Sequence, residues 1–217
     1  MTDFSSRRTM MVDTQVRPSD VTKFPIIEAM LAVPREVYVP QALREAAYMG
    51  ENLDLGGDRV ILEPRSFAKL LDAMDLRPAD LVLDLGCGLG YSTAVVARIV
   101  DAVIALEEDE SMAAEAELRL AEQGVDNAAV MTGELAGGAA KHGPYDAILV
   151  EGAVEQVPEA LLAQLAEGGR IGCIFMAGRL GVARIGFKTG QGVIWRDVFN
   201  AAAPVVPGFR KVAEFTL

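Results

Sequence analysis

The apolar residues of this chain change their spacing near residue 81, and the change separates two kinds of element. Before it, the spacing is helical. Residues 65–76, RSFAKLLDAMDL, place Phe67, Leu70, Leu71 and Met74 on one face of a helix. Residues 25–33, PIIEAMLAV, predict a shorter helix with Ile26, Ile27, Met30 and Leu31 on one face. Pro25 suits its first turn and Pro34 stops it. A second short helical segment is expected over 37–50, ending near Gly50, and then a loop carrying Gly56 and Gly57. The first 20 or so residues are polar and show no clear period.

After residue 81 short apolar runs alternate with helical stretches. LVLDLG (81–86) is nearly continuous, as expected of a strand buried on both faces. A glycine-rich turn and a helix over 91–100 follow. AVIALE (102–107), AAVMTG (128–133), YDAILVEG (145–152) and RIGCIF (170–175) read as further strands. Helices are expected over 109–123 and 157–169, the latter ended by Gly168 and Gly169. This alternation predicts an α/β fold with a doubly wound, mostly parallel sheet and right-handed crossovers. In the tail, VARIGF, GVIWRDVF and KVAEFTL lack helices between them and predict an antiparallel edge. The organisation expected is a helical N-terminal extension with a substrate-side loop (1–64) and one compact α/β domain (65–217).

Composition narrows the partners. The chain has 217 residues, 51% hydrophobic, enough to bury a sizeable core. Its formal net charge of −11, with no Lys/Arg run, argues against nucleic acid, because phosphate backbones are bound by clustered cations. Cys87 and Cys173 lie far apart without metal-ligand spacing, and the N-terminus has no apolar signal region. No apolar stretch approaches the roughly 18 residues of a membrane span. A cytoplasmic protein with reduced thiols, no metal and no membrane partner is expected, as monomer or homodimer. His142, the only histidine, falls in the turn Lys141-His142-Gly143-Pro144 and reads as an exposed loop residue.

The candidate chemistry lies in the turn after the first parallel strand, Asp84-Leu85-Gly86-Cys87-Gly88-Leu89-Gly90. Open α/β sheets bind ligands beyond the carboxyl ends of their strands. Glycines there permit close approach of a ligand to backbone. The spacing is GxGxG, not the GxGxxG of dinucleotide sites, and Asp84 precedes the first glycine by two residues. A carboxylate so placed repels a pyrophosphate but suits a cation. S-adenosylmethionine carries a sulfonium and an ammonium, so the loop favours it over a nicotinamide dinucleotide. Glu107 ends the next strand roughly 20 residues beyond Gly86, where an acid can accept both ribose hydroxyls. Gly133 and Glu134, after the third strand, are candidates for the adenine edge, and Glu151 with Gly152 ends the fourth strand at the same crevice. Glu108, beside Glu107, is a further candidate; with Asp109 and Glu110 it also reads as a solvated acidic helix start.

VLDLGCGLGYSTAVVA, running through Tyr91 and Ser92, resembles motif I of class I methyltransferases. Its GxGxGYSTA form is similar to the protein-L-isoaspartate O-methyltransferase family. MVDTQVRP (11–18), EAMLAVPREVYVP (28–40), Ala47-Tyr48 and YDAILVEGAVEQVPEALLAQLAEGGRI (145–171) resemble that family too. The resemblance covers about residues 8–175. It implies a Rossmann-like fold and methyl transfer from S-adenosylmethionine to the free α-carboxylate of isoaspartyl residues in damaged proteins, leaving S-adenosylhomocysteine. A carboxylate is ionised at pH 7. It needs desolvation and in-line placement, not a general base, so a catalytic histidine is not required.

The chain departs from the family at one loop. Where the family carries a Gly-Gln-Thr-Ile-Ser-Gln-Pro type of run at the methyl-transfer site, this sequence has Asp58-Arg59-Val60-Ile61-Leu62-Glu63-Pro64. Val60 and Leu62 replace hydroxyl-bearing residues, and Glu63 replaces an amide. Arg59 is a candidate partner for the acceptor carboxylate, as is Arg65; both also read as surface charges. The substitutions leave two alternatives open: a methyltransferase of different acceptor specificity, and a non-catalytic homologue that keeps the cofactor fold.

Overall fold

The computed structural model describes residues 3–211. Seven strands form the main sheet in the order β5-β4-β3-β6-β7-β8-β9. They are β3 (Leu81–Leu85), β4 (Ala102–Glu107), β5 (Ala128–Thr132), β6 (Tyr145–Val154), β7 (Leu165–Ala177), β8 (Leu180–Thr189) and β9 (Gly192–Asn200). β5 through β7 run parallel, while β8 and β9 pair antiparallel at the edge. The Rossmann-like α/β sheet and its antiparallel C-terminal strands are as expected from the sequence. The third expected tail strand, KVAEFTL, falls almost wholly outside the described residues.

The order of connection reverses between β3 and β6. In open α/β sheets the crevice that takes ligands lies at such a switch point, outside the carboxyl ends of the strands. β3 owes its place to burial on both faces: Val82, Leu83 and Leu85 are inaccessible to solvent. The helix α4 (Tyr91–Ala97) is buried along its whole length, so the glycine turn before it is held between sheet and core. The helix α5 (Glu110–Glu122) starts at Asp109, whose side chain accepts the Met112 N–H at 2.9 Å. The helix α3 (Pro64–Met74) buries the expected face of Phe67, Leu70, Leu71 and Met74. Gly172 on β7 makes room for it: a Cβ there would lie 2.6 Å from Met74 Sδ.

The N-terminal segment belongs to the same hydrophobic core as the sheet. The helix α2 (Phe24–Ala32) is close to the expected span. The polar opening hides another helix, α1 (Phe4–Met11), capped by Asp3, whose side chain accepts the Ser6 N–H. Its docking rests on Met11 and on Val12 and Val16 just beyond, all buried, too few apolar positions to make a visible period. Within residues 37–50 the expected helical segment is reduced to a six-residue 3-10 helix that ends before Gly50. It is Gln41–Ala46, preceded by a 3-10 turn at Arg35–Val37, and Pro40 between them interrupts any longer helix.

Two further departures bear on the crevice. The expected loop around Gly56 and Gly57 is a hairpin, β1 (Leu53–Gly56) paired antiparallel with β2 (Arg59–Ile61). Gly56, Gly57 and Asp58 all take positive φ, which closes the tight turn. The expected helix over 157–169 is only α6 (Glu159–Leu162), since the chain turns into β7 by Leu165, which pairs with Tyr145. Gly168 takes positive φ, and Gly169 packs against the carbonyls of Tyr145 and Asp146, so these glycines shape a strand irregularity instead of capping a helix. Among the described residues no helix is long and apolar enough to cross a membrane.

Candidate active site

Three acids converge at the carboxyl ends of β3, β4 and β6: Asp84, Glu107 and Glu151, all buried. Asp84 Oδ2 accepts the hydroxyls of Ser92 at 2.7 Å and Thr93 at 2.6 Å, both at the start of α4. Asp84 Oδ1 has no hydrogen-bond partner among the described residues. Burial pushes the Asp84 carboxyl up to about 6; the two hydroxyls act against this and the nearby Glu107 adds to it. Glu151 is 2% exposed, and its Oε1 is likewise unpartnered. Burial raises its pKa well above the usual carboxylate range, Asp84 adds to the rise, and Arg35 opposes it.

An unpartnered buried carboxylate oxygen costs free energy unless a donor or cation arrives. Two of them beside one glycine turn suit a ligand with a positive charge and N–H donors. The turn itself is buried in this structure, covered by Leu55, Arg59 and Leu135. Gly86 and Gly88 take positive φ. A Cβ on Gly88 would lie 2.7 Å from Leu55 Cδ1, so the hairpin rests directly on this residue. Gly90 serves packing: a Cβ there would press on Leu120 and Ala116 of α5. Cys87 is buried among Ala105 and Ala116, and burial raises its thiol pKa, with Asp84 and Glu107 contributing. Tyr91 points into the core, where the Arg35 guanidinium lies 4.7 Å from its ring centre.

Glu107 is fully engaged. Its Oε1 accepts the backbone N–H groups of Glu108 at 2.8 Å and Asp109 at 3.1 Å, and its Oε2 accepts that of Gly88 at 2.9 Å. Arg59 Nε contacts both oxygens, at 2.9 and 3.1 Å. The sequence offers Arg59 as a partner for an acceptor carboxylate; in this structure its guanidinium is on Glu107 and is nearly inaccessible. Glu108 is exposed at the rim, with its carboxylate 3.7 Å from Arg59. Gly133 donates its N–H to the Glu107 carbonyl, and Glu134 is exposed just beyond it.

The divergent loop faces inward. Val60, Ile61 and Leu62 are all buried, Leu62 completely. Glu63 is half-buried at the start of α3, where Ser66 donates its hydroxyl to the carboxylate and Arg65 lies 3.8 Å away. Arg35, absent from the residues expected at the site, is wholly buried and donates to the carbonyls of Ala47 at 2.7 Å and Leu62 at 2.8 Å. An arginine set in the apolar run AVPREVYVP was the available signal. The segment 204–206 is likewise absent from the expected residues: Ala153 donates its N–H to Pro204 and accepts that of Val206, covering the end of β6.

Comparison with known proteins shows what the whole chain is similar to. The family model described as Protein-L-isoaspartate(D-aspartate) O-methyltransferase matches residues 7–175. A protein-L-isoaspartate O-methyltransferase of Syntrophus aciditrophicus (strain SB) is 37% identical over 171 residues, covering 79% of this chain and 78% of its own. One from Methylorubrum extorquens (strain PA1) is 39% identical over 169 residues, covering 78% and 74%. Among solved structures, a protein-L-isoaspartate O-methyltransferase aligns with TM-score 0.79 at 22% identity, over 94% of this chain and 66% of that one. A Plasmodium falciparum protein described as a putative enzyme of this kind, in complex with S-adenosyl-L-homocysteine, aligns with TM-score 0.77 at 19% identity, over 95% and 99%. At those identities the structural likeness speaks for the fold, while the family match and the sequence identity of the two bacterial relatives reach further: this chain belongs to the protein-L-isoaspartate(D-aspartate) O-methyltransferase family.

Proposed function

We propose that this chain is a methyltransferase that uses S-adenosylmethionine to esterify the free α-carboxylate of isoaspartyl residues in proteins. The observation that carries this reading is the pair of buried, unpartnered carboxylate oxygens, Asp84 Oδ1 and Glu151 Oε1, beside the glycine turn at the switch point of the sheet. The residues present suit that cofactor. Asp84 and Glu151 would take its ammonium, Gly86 and Gly88 would let it lie against backbone, and Glu107 would accept ribose hydroxyls. When bound, the cofactor supplies an electrophilic methyl on a sulfonium.

The protein's own task is placement. The acceptor carboxylate arrives ionised, so the chain has to bind it, exclude water and aim one oxygen at the methyl. Val60, Ile61 and Leu62 support the dry wall such a site needs, since all three are buried in the hydrophobic core. Arg35 ties the Leu62 carbonyl to the Tyr91 ring, which fixes this wall relative to α4. The acidic surface supports a protein or peptide acceptor over nucleic acid, and two free buried thiols are consistent with a reducing, cytoplasmic setting.

The test is transfer of labelled methyl to a peptide containing isoaspartate, against the same peptide with aspartate. Base-labile label on the first peptide alone is expected. Equal labelling of both peptides, or label only on another acceptor, would overturn the assignment.

A further inference from the structure

Arg59 occupies the carboxylate that a cofactor ribose requires. Glu107 is inaccessible to solvent, and Arg59 is 3% exposed. A carboxylate offers about four acceptor positions. On Glu107 three backbone N–H groups and the one Nε–H of Arg59, shared between the two oxygens, already fill them. Ribose hydroxyls cannot reach Glu107 while that contact stands. The three backbone donors belong to the glycine turn and to the entry of α5, so they stay when a ligand binds. Arg59 is the one donor carried on a separate element.

That element lies outside the main sheet, with only its tip over the glycine turn. β1 and β2 form a two-stranded sheet of their own, four and three residues long, outside the seven-stranded sheet. Such a short ribbon has little stability by itself. Leu53, Val60 and Ile61 anchor its base in the core, and its tip is held over the glycine turn by the Arg59–Glu107 contact together with Leu55 resting on Gly88. The rest of the Arg59 guanidinium is loosely held: Nη1 is 3.4 Å from the Gly57 carbonyl and Nη2 is 3.7 Å from the exposed Glu108 carboxylate. Charge is conserved in the exchange. Asp84, Glu107 and Glu151 form a buried acidic group. A cationic cofactor brings in a positive charge as the guanidinium leaves.

We infer that Arg59 is an internal competitor for the ribose subsite, so that cofactor uptake is an exchange in which ribose hydroxyls replace its guanidinium on Glu107 and the β1–β2 hairpin lifts from Gly88. This rests on the cofactor reading above. It makes Arg59 a residue that sets cofactor affinity without contacting the bound cofactor.

The experiment is calorimetric titration of S-adenosylhomocysteine and its 2′-deoxyribose analogue into the wild-type chain and into Arg59→Met. Met keeps the apolar stem beside Gly86 and removes the charge. Arg59→Met is expected to bind S-adenosylhomocysteine about tenfold more tightly or better, a gain of about 1.4 kcal/mol. The loss of the 2′-hydroxyl should cost the variant more than the wild type, because in the wild type Arg59 can return to Glu107 when the hydroxyl is missing, whereas in the variant that acceptor position stays empty. A loss of packing alone would not create that dependence on a ligand hydroxyl. Equal or weaker binding by a folded Arg59→Met, with the wild type binding, overturns the exchange and leaves the cofactor reading intact. Failure of both proteins to bind removes the cofactor reading itself, and the exchange with it. Should Arg59→Met not fold, hydrogen exchange of the wild type decides: saturating ligand is expected to lower protection of residues 53–61, and unchanged or higher protection overturns the exchange.

Discussion

The Asp84 carboxyl makes the electrostatics of the crevice measurable. It is fully buried at the end of β3, and only one of its oxygens is bonded. Burial is the main reason its pKa rises from the usual 3.8 to about 6. A group raised in this way contributes stability that is fully present below its unfolded pKa and lost as pH rises through the folded one. For Asp84 the loss therefore falls between about pH 4 and pH 6, and it amounts to about 3 kcal/mol by pH 7. Asp84→Asn removes the titration and keeps an amide oxygen to accept the Ser92 and Thr93 hydroxyls. Urea denaturation of both proteins across this range gives the answer as a difference, in which the titrations of groups remote from Asp84 cancel. The variant should gain about 3 kcal/mol on the wild type between about pH 4 and pH 7. A difference that stays flat with pH would refute the burial argument, because Asp84 would then titrate alike folded and unfolded.

Other perturbations follow from the same geometry. A cation seated beside Asp84 draws its pKa back down, so S-adenosylhomocysteine binding near pH 6 should release protons; calorimetry in buffers of different ionisation enthalpy reads this, and proton uptake would contradict it. Gly152→Ala should destabilise by about 2–4 kcal/mol. Gly152 sits at φ +140 with Val206 Cγ1 2.5 Å from an added Cβ, so chemical denaturation should show the loss, and Val206→Ala should return part of it. Restoring hydroxyls with Leu62→Ser should cost about 2–4 kcal/mol without raising isoaspartyl transfer, because Leu62 is wholly buried; a stable variant with higher activity would mean that this side chain faces the acceptor.

The parts of this fold legible in the sequence are those whose signal is local. LVLDLG reads as a buried strand because β3 is covered on both faces, and Asp84, Gly86 and Gly88 follow it within one turn. The same holds for the α3 face, where four apolar positions recur at helical spacing. What was illegible depends on residues far apart. Arg59 and Glu107 are 48 positions distant, so nothing near either shows that they pair. Gly152 reads as the end of a strand, and only the return of residues 204–206 shows why a side chain is excluded there. The hairpin was missed for another reason. Its strands are three and four residues long, too short for alternation to show, while the glycines suggest a loop. The expected helix over 157–169 failed because Gly168 and Gly169 mark both a helix end and a strand irregularity, and local sequence does not separate the two.

The most direct test is a crystal structure of the chain grown with saturating S-adenosylhomocysteine. The ligand is expected in the crevice between β3 and β6, its ammonium on Asp84 and Glu151, its ribose hydroxyls on Glu107, and the Arg59 guanidinium withdrawn from that carboxylate. Ligand bound elsewhere, or a crevice without ligand in which Arg59 still holds Glu107, would contradict the assignment of this acidic cradle to the cofactor.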